Sequence, residues 1–290
     1  MSTLLSRIEQ EYPKFSKSHK KIADFILNDY QKAAYYTAAK LGEETDISES
    51  TVVRFAAQLG FEGFPEFQAA LRDDIKGKLT TLQRMEVASF KMLDEDVLEK
   101  VMRSDRDAIK ETLANVSHDD FKAAAAAIND AERIYILGVR SAAPLANFMN
   151  FYLKMVYDNV VLITSASSSE EFENIFKIRK EDVCIAISFP RYSKQVVTTL
   201  EYAKEKSAKI IAVTDSDSSP IAPLATYLLK AKSNMASFTD SLVAPLSLIN
   251  ALIVEATIGK RDEVLGTFAE LESIWDKYDV YDKTEDSDYE

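Results

Sequence analysis

Two stretches of the 290-residue chain set hydroxyl and guanidinium groups where an anion can be held. The first is Leu137-Gly138-Val139-Arg140-Ser141, and the second is Ser188-Phe189-Pro190-Arg191-Tyr192-Ser193. Each follows an apolar run and precedes a helical pattern. At a strand-to-helix turn, free backbone N–H groups and the helix dipole favour negative charge. An arginine there adds a planar, permanently charged donor. Gly138 is expected to let the first turn close tightly. Ser141 and Ser193 also stand where plain N-caps stand, so either loop alone says little. Together, Gly138, Arg140, Ser141, Ser188, Arg191 and Ser193 form a candidate ligand-binding set.

A third stretch, Thr37 to Phe55, has the spacing of a helix-turn-helix. Two helices that cross closely need a small residue at the contact, and Gly42 supplies it. Asp46, four residues on, tolerates the positive φ of a tight turn, less readily than glycine. Val52 and Phe55 point into the junction. Ser48 is expected to cap the second helix through its hydroxyl. That leaves Ser48, Glu49, Ser50, Thr51 and Arg54 at the front of the helix, where side chains of this type meet base edges and phosphates. An ordinary helical hairpin fits the same spacing.

Other chemistry is sparse. His19 and His118 are the only histidines, and Cys184, inside the run Val183–Ile187, is the only cysteine. An intramolecular disulfide is excluded, a buried thiol is expected, and no metal, cofactor or catalytic residue is anticipated. Ser167, Ser168 and Ser169 precede Glu170 and Glu171, a pattern that suits a helix N-terminus better than a site. Thr239 or Asp240 is expected to cap the apolar helix 242–258. The alternative reading of the second half is an aldose–ketose isomerase, which needs a carboxylate or imidazole base. No histidine follows Arg133, and Glu171 or Glu255 can be proposed for that role, though nothing in their positions singles them out.

The elements that must position these groups change character along the chain. Residues 1–78 read as short helices, with Leu4, Leu5 and Ile8, then Ile22, Ala23, Phe25 and Ile26, at helical spacing. Residues 79–116 are polar and helix-prone. From Arg133, apolar runs alternate with helical segments: 133–137, 160–163, 183–187, 209–213 and 227–230 are the strands. Near-continuous apolar strands between helices imply a parallel sheet covered on both faces, with ligands at the carboxyl ends of the strands.

The block Ser48-Glu-Ser-Thr-Val-Val-Arg-Phe-Ala-Ala-Gln-Leu-Gly-Phe-Glu-Gly-Phe-Pro-Glu-Phe resembles the N-terminal domain of the RpiR/MurR family of bacterial transcription regulators. Leu59, Phe61, Phe64 and Phe67 then form the seam of the small domain, with Gly60 and Gly63 at its turns. The resemblance implies operator DNA as a partner. Residues 120–265 are similar to a SIS domain, the phosphosugar isomerase module of such regulators. They include both anion loops and Ile211-Ala-Val-Thr-Asp-Ser-Asp-Ser-Ser-Pro. The family's loops read G-x-G-x-S and S-x-S-G-x-T/S. Here Arg140 stands near the second glycine's place, and Pro190-Arg191 replaces Ser-Gly. Those arginines either strengthen anion binding or fill the space of a sugar phosphate.

The expected fold is therefore an all-α N-terminal helix-turn-helix domain followed by an α/β three-layer SIS domain with a five-stranded parallel sheet. Its parts are a DNA-binding domain over 1–78, a helical linker over 79–116, a SIS-like domain over 117–275 and an acidic tail over 276–290. Expected partners are double-stranded operator DNA and a small anionic metabolite such as a sugar phosphate, with the chain as a homodimer or homotetramer. No apolar run approaches the ~18 residues of a membrane span, and a cytoplasmic location is expected. The net charge of −12 argues against a generally basic DNA binder. It is unevenly spread: residues 1–78 carry 11 basic and 12 acidic groups, whereas 276–290 carry 2 and 7. Lys14, Lys17, Lys20 and Lys21 bunch at one helix start, where they suit phosphates.

Overall fold

The computed structural model describes residues 4–76, 79–80, 82–85, 96–165, 167–235 and 239–281. Much of the expected linker (86–95), the end of the acidic tail (282–290) and Phe238 lie outside the described residues. The chain forms two compact units: Met1–Arg106 with Pro190–Tyr192 and Asn234–Ser241, and the remainder.

The first unit is helical. Its elements are α1 (Leu4–Glu11), α2 (Lys17–Asn28), α3 (Tyr30–Ala33), α4 (Ala38–Thr45), α5 (Glu49–Gln58) and α6 (Phe64–Lys76). Ser16 and Thr37 cap α2 and α4 by accepting from the backbone N–H groups of His19 and Lys40. Each apolar face closes on one core, in which Ile8, Ile22, Leu41, Val52, Phe55 and Phe67 are fully buried or nearly so. The expected seam is present. Leu59, Phe64 and Phe67 are buried, Phe61 packs partly buried against them, and the Phe61 and Phe67 rings meet edge-to-face at 5.5 Å. Gly60 takes a positive φ of 81°, which a side chain would resist. Asp240 does not cap the following apolar helix as expected. It bridges backbone to Met235 and accepts a hydrogen bond from the buried Arg84 guanidinium at 2.7 Å, a pair 156 residues apart in sequence.

The second unit holds five strands: β1 (Ile134–Leu137), β2 (Val160–Ile163), β3 (Val183–Ile187), β4 (Lys209–Thr214) and β5 (Tyr227–Lys230). All pairings are parallel, in the order β2-β1-β3-β4-β5. Alternation along each strand feeds two cores. Ile134 and Ile136 join Val183, Ile185 and Ile187 on one face, covered by α8 (His118–Asp130), α9 (Ala143–Leu153) and α12 (Val243–Ile258). Tyr135 and Leu137 join Cys184 and Ala186 on the other, covered by α10 (Ser168–Ile175) and α11 (Lys194–Glu205). This makes three layers around continuous apolar strands. Cys184 is buried and free, and burial pushes its thiol up to about 12. Two further helices flank this fold in sequence, α7 (Val97–Asn115) and α13 (Arg261–Tyr278). Among the described residues no single helix is long and apolar enough to cross a membrane.

Candidate functional site

The helix pair α4–α5 is built around two backbone facts. A Cβ on Gly42 would lie 2.5 Å from the Ile47 carbonyl oxygen, so only glycine permits the crossing. Asp46 then turns the chain in the left-handed region, at φ 55° and ψ 46°, and the Ile47 N–H donates to the Gly42 carbonyl at 2.8 Å. Both features follow the sequence expectation. The buried side of α5 is Val52, Phe55 and Ala56. Its other side exposes Glu49, Ser50 and Arg54, with Thr51 half-buried.

Ser48 occupies the N-cap position of α5 without the expected bond to a backbone N–H. Its hydroxyl instead lies 3.2 Å from Ser50 Oγ and 2.9 Å from Thr51 Oγ1. The Arg54 guanidinium donates to Thr51 Oγ1 at 3.0 Å. The front of the helix is thus a chain of hydroxyls ending in a guanidinium, all oriented by one another. Periodicity shows which face is exposed but not this lateral pairing. The lysine group is partly engaged: Lys14 pairs with Glu11 at 2.9 Å, Lys21 approaches Asp46 at 3.9 Å, and Lys20 lies over the Tyr12 ring.

In the second unit, the chain passes from β1 outward to β2 and returns to the other side of β1 as β3. Strand order reverses there. The helix after β1 packs on one face of the sheet and the helix after β3 on the other. A crevice at the carboxyl ends of two such strands is the usual ligand position in open parallel sheets. Both anion loops leave the sheet at this point.

In the first loop, Gly138 is buried, and a Cβ there would stand 2.9 Å from the Ala146 side chain and 3.1 Å from the Ala142 carbonyl. Its role is close strand–helix packing. The left-handed residue of this loop is Arg140, at φ 56°. Arg140 and Ser141 are exposed. Ser141 does not stand at the N-terminus of the long helix: it lies in a single 3-10 turn, Arg140–Ala142, before α9 begins at Ala143.

In the second loop, Ser188 is buried directly after β3, and its N–H donates to the Val213 carbonyl at 3.1 Å. Its own carbonyl accepts from Thr214 Oγ1 at 2.7 Å, and Thr214 Oγ1 also lies 2.7 Å from Ser219 Oγ. Sequence reasoning missed Thr214 as a brace. The available signal was a hydroxyl at the end of an otherwise apolar strand. Ser193 is the N-cap of α11 but makes no side-chain capping bond. Arg191 is exposed and belongs to Pro190–Tyr192, the three loop residues of the first unit. The switch-point set within the second unit is therefore Gly138, Arg140, Ser141, Ser188 and Ser193.

The acids considered for isomerase chemistry sit elsewhere. Glu171 is fully buried, and its Oε2 accepts from Thr199 Oγ1 at 2.8 Å. Burial pushes its carboxyl above the ordinary carboxylate range, against the hydrogen bond from Thr199. Glu255 is half-buried on α12. Ser167 is the N-cap of α10 but bonds sideways to Ser169 Oγ at 3.0 Å.

Residues 2–78 match the helix-turn-helix domain of the rpiR family, and residues 127–255 match the SIS domain. An uncharacterized HTH-type transcriptional regulator of Clostridium perfringens is 27% identical over 230 residues, covering 78% of this chain and 80% of that protein. Among solved structures, the sugar isomerase domain of the RpiR transcription factor from Sphaerobacter thermophilus is similar with a TM-score of 0.59. It is 24% identical and covers 62% of this chain and 99% of its own. The NanR protein of Vibrio vulnificus, complexed with ManNAc-6P, has a TM-score of 0.58 and 20% identity, covering 95% of this chain and 99% of its own. These two likenesses show a shared fold.

Proposed function

This chain joins a helix-turn-helix domain of the rpiR family to a SIS domain, and from that premise we propose a DNA-binding transcriptional regulator whose SIS domain senses a phosphosugar or related anionic metabolite. The observation that carries the DNA half is the Gly42–Asp46 turn, which presents Ser48, Glu49, Ser50, Thr51 and Arg54 at the open front of α5. Such a helix enters a major groove with its N-terminal residues on base edges. A near-neutral domain makes few phosphate contacts, so the reading calls for base readout and a shallow salt slope.

The sensor half rests on the switch-point loops, with Gly138, Arg140, Ser141, Ser188 and Ser193 as the ligand set and Arg191 as a further guanidinium. NanR of Vibrio vulnificus is complexed with ManNAc-6P, so a hexosamine phosphate is the first ligand to try. In this reading the chain is a non-enzymatic cytoplasmic regulator that acts as a homodimer or homotetramer on double-stranded operator DNA. The DNA-binding part is taken as 1–78, the linker as 79–116, the sensor as 117–275 and the acidic tail as 276–290. A ligand switches such a protein only if it binds the DNA-competent and incompetent states unequally.

The test is an anisotropy titration against the DNA upstream of its own gene, with and without ManNAc-6P and related hexosamine phosphates. Saturable, sequence-selective binding that shifts with one of these ligands supports the reading. Binding that ignores sequence at moderate salt overturns it.

A further inference from the structure

At the opposite end of the sheet from the switch-point loops, the second unit carries another cleft. It lies at the amino ends of β1 and β2, whose register pairs Ile134 with Val160 and Tyr135 with Val161. Its volume is about 460 Å³, inside the roughly 300–1,000 Å³ usual for small-molecule sites. The four residues of β1, about 13 Å of strand, separate it from Gly138 and Arg140. The buried Tyr135 and the Phe176 ring, 56% exposed, line it together with Arg133, Asp158, Glu173 and Lys177. The Tyr202 hydroxyl donates to the Phe176 carbonyl at 3.0 Å and fixes that wall.

The charges of the cleft are balanced but do not meet. Arg133, Lys177, Asp158 and Glu173 are all exposed, and among the described residues none of the four forms an ion pair. Glu132 and the buried Asp182 also act on Arg133. Asp182 is engaged by the Arg179 N–H, which donates to it at 2.8 Å, and Glu181 pairs with Lys180 at 3.5 Å. Glu173 stands in the last turn of α10, where the helix dipole favours a positive group as well. Such a cleft is complementary to a molecule that carries both signs.

The backbone adds a second kind of contact. Strand β2 is at the edge of the sheet. The Ile134 N–H donates to the Asn159 carbonyl at 2.9 Å, and the Gly138 N–H donates to the Ile163 carbonyl at 3.0 Å. The odd-numbered residues of β2 therefore bond toward β1. Val160 and Leu162 turn their N–H and C=O groups to the outer side. Val160 lines the cleft, and an open edge of this kind pairs with an extended chain.

We propose that this cleft is a second ligand site, one that takes a zwitterionic dipeptide. Its ammonium lies at Asp158 and Glu173, its carboxylate at Arg133 and Lys177, and its amide on the open edge at Val160. An apolar side chain then rests on Phe176. The inference goes beyond the regulator reading and does not depend on it.

The test is calorimetry on the full chain with three probes: the dipeptide alanyl-phenylalanine, its N-acetylated amide and free phenylalanine. Saturable binding is expected for the uncapped dipeptide, and much weaker binding for the other two. Arg133→Gln and Asp158→Asn are each expected to weaken it about fivefold or more. Both side chains are exposed, so both variants are expected to keep the wild-type melting temperature. No binding of any probe at about 10 mM overturns the proposal. Equal affinity for the capped dipeptide overturns it by removing the need for the two charges. Equal affinity for free phenylalanine overturns it by removing the need for the amide. Wild-type affinity in both variants overturns it by placing the dipeptide elsewhere.

Discussion

The carbonyl oxygen of Ile47 stands 2.5 Å from the point a Cβ on residue 42 would occupy. No side chain fits there without moving α5 against α4. Gly42→Ala is therefore expected to cost about 1–3 kcal/mol of stability, the range for overpacking a close contact. It should also tilt α5. Thermal unfolding checks the first effect, and operator affinity, lowered even at temperatures where the variant is folded, checks the second.

Thr51 and Arg54 share a hydrogen bond of 3.0 Å at the exposed front of α5. Thr51→Ala is expected to free the guanidinium and relax sequence preference. Arg54→Ala is expected to cost about 1–3 kcal/mol in operator affinity if it reads a base. Comparing the loss on operator and on scrambled DNA decides the role: a phosphate contact weakens both alike and lowers the salt slope by about one.

Arg140 holds a left-handed conformation at φ 56°, which costs a non-glycine residue roughly 1–2 kcal/mol. Arg140→Gly relieves that strain and is expected to leave the melting temperature unchanged or higher. Arg140→Val adds β-branching at the same φ and is expected to lower it. If the guanidinium binds the ligand's anion, both variants lose about tenfold or more in affinity, measurable by calorimetry.

Glu171 gives a pH signature. Its folded-state carboxyl is raised by burial, so the native chain holds the proton more tightly than the unfolded one. Stability contributed by that proton is complete below the unfolded value, about pH 4. It is lost as the pH rises through the higher folded value. Glu171→Gln keeps a neutral side chain at every pH. Its melting temperature relative to wild type is expected to improve with rising pH, and a pH-independent difference would count against the assignment.

The legible parts of this molecule are those written in local sequence. Gly42 and Asp46 declare a turn because backbone sterics single out residue types, and the runs around Ile136, Cys184 and Ala212 declare strands because both faces are buried. Hydroxyl geometry was not legible. Ser48, Ser167 and Ser193 all hold N-cap positions, yet none makes a capping bond through its side chain; for Ser48 and Ser167, neighbouring hydroxyls compete for the same oxygen. Asp240 read as a cap because its partner, Arg84, is 156 residues away. Arg140 was read by its charge, while its left-handed backbone angle is not a preference of its residue type.

The lone thiol of Cys184 sits mid-strand in β3, between layers, with its ionisation suppressed. Thiolate is the species that alkylating reagents attack. A maleimide therefore has no target in the native fold and gains one only when the sheet parts. The chain carries its own internal stopwatch: the rate at which it takes up label at a given temperature times the opening of the sheet.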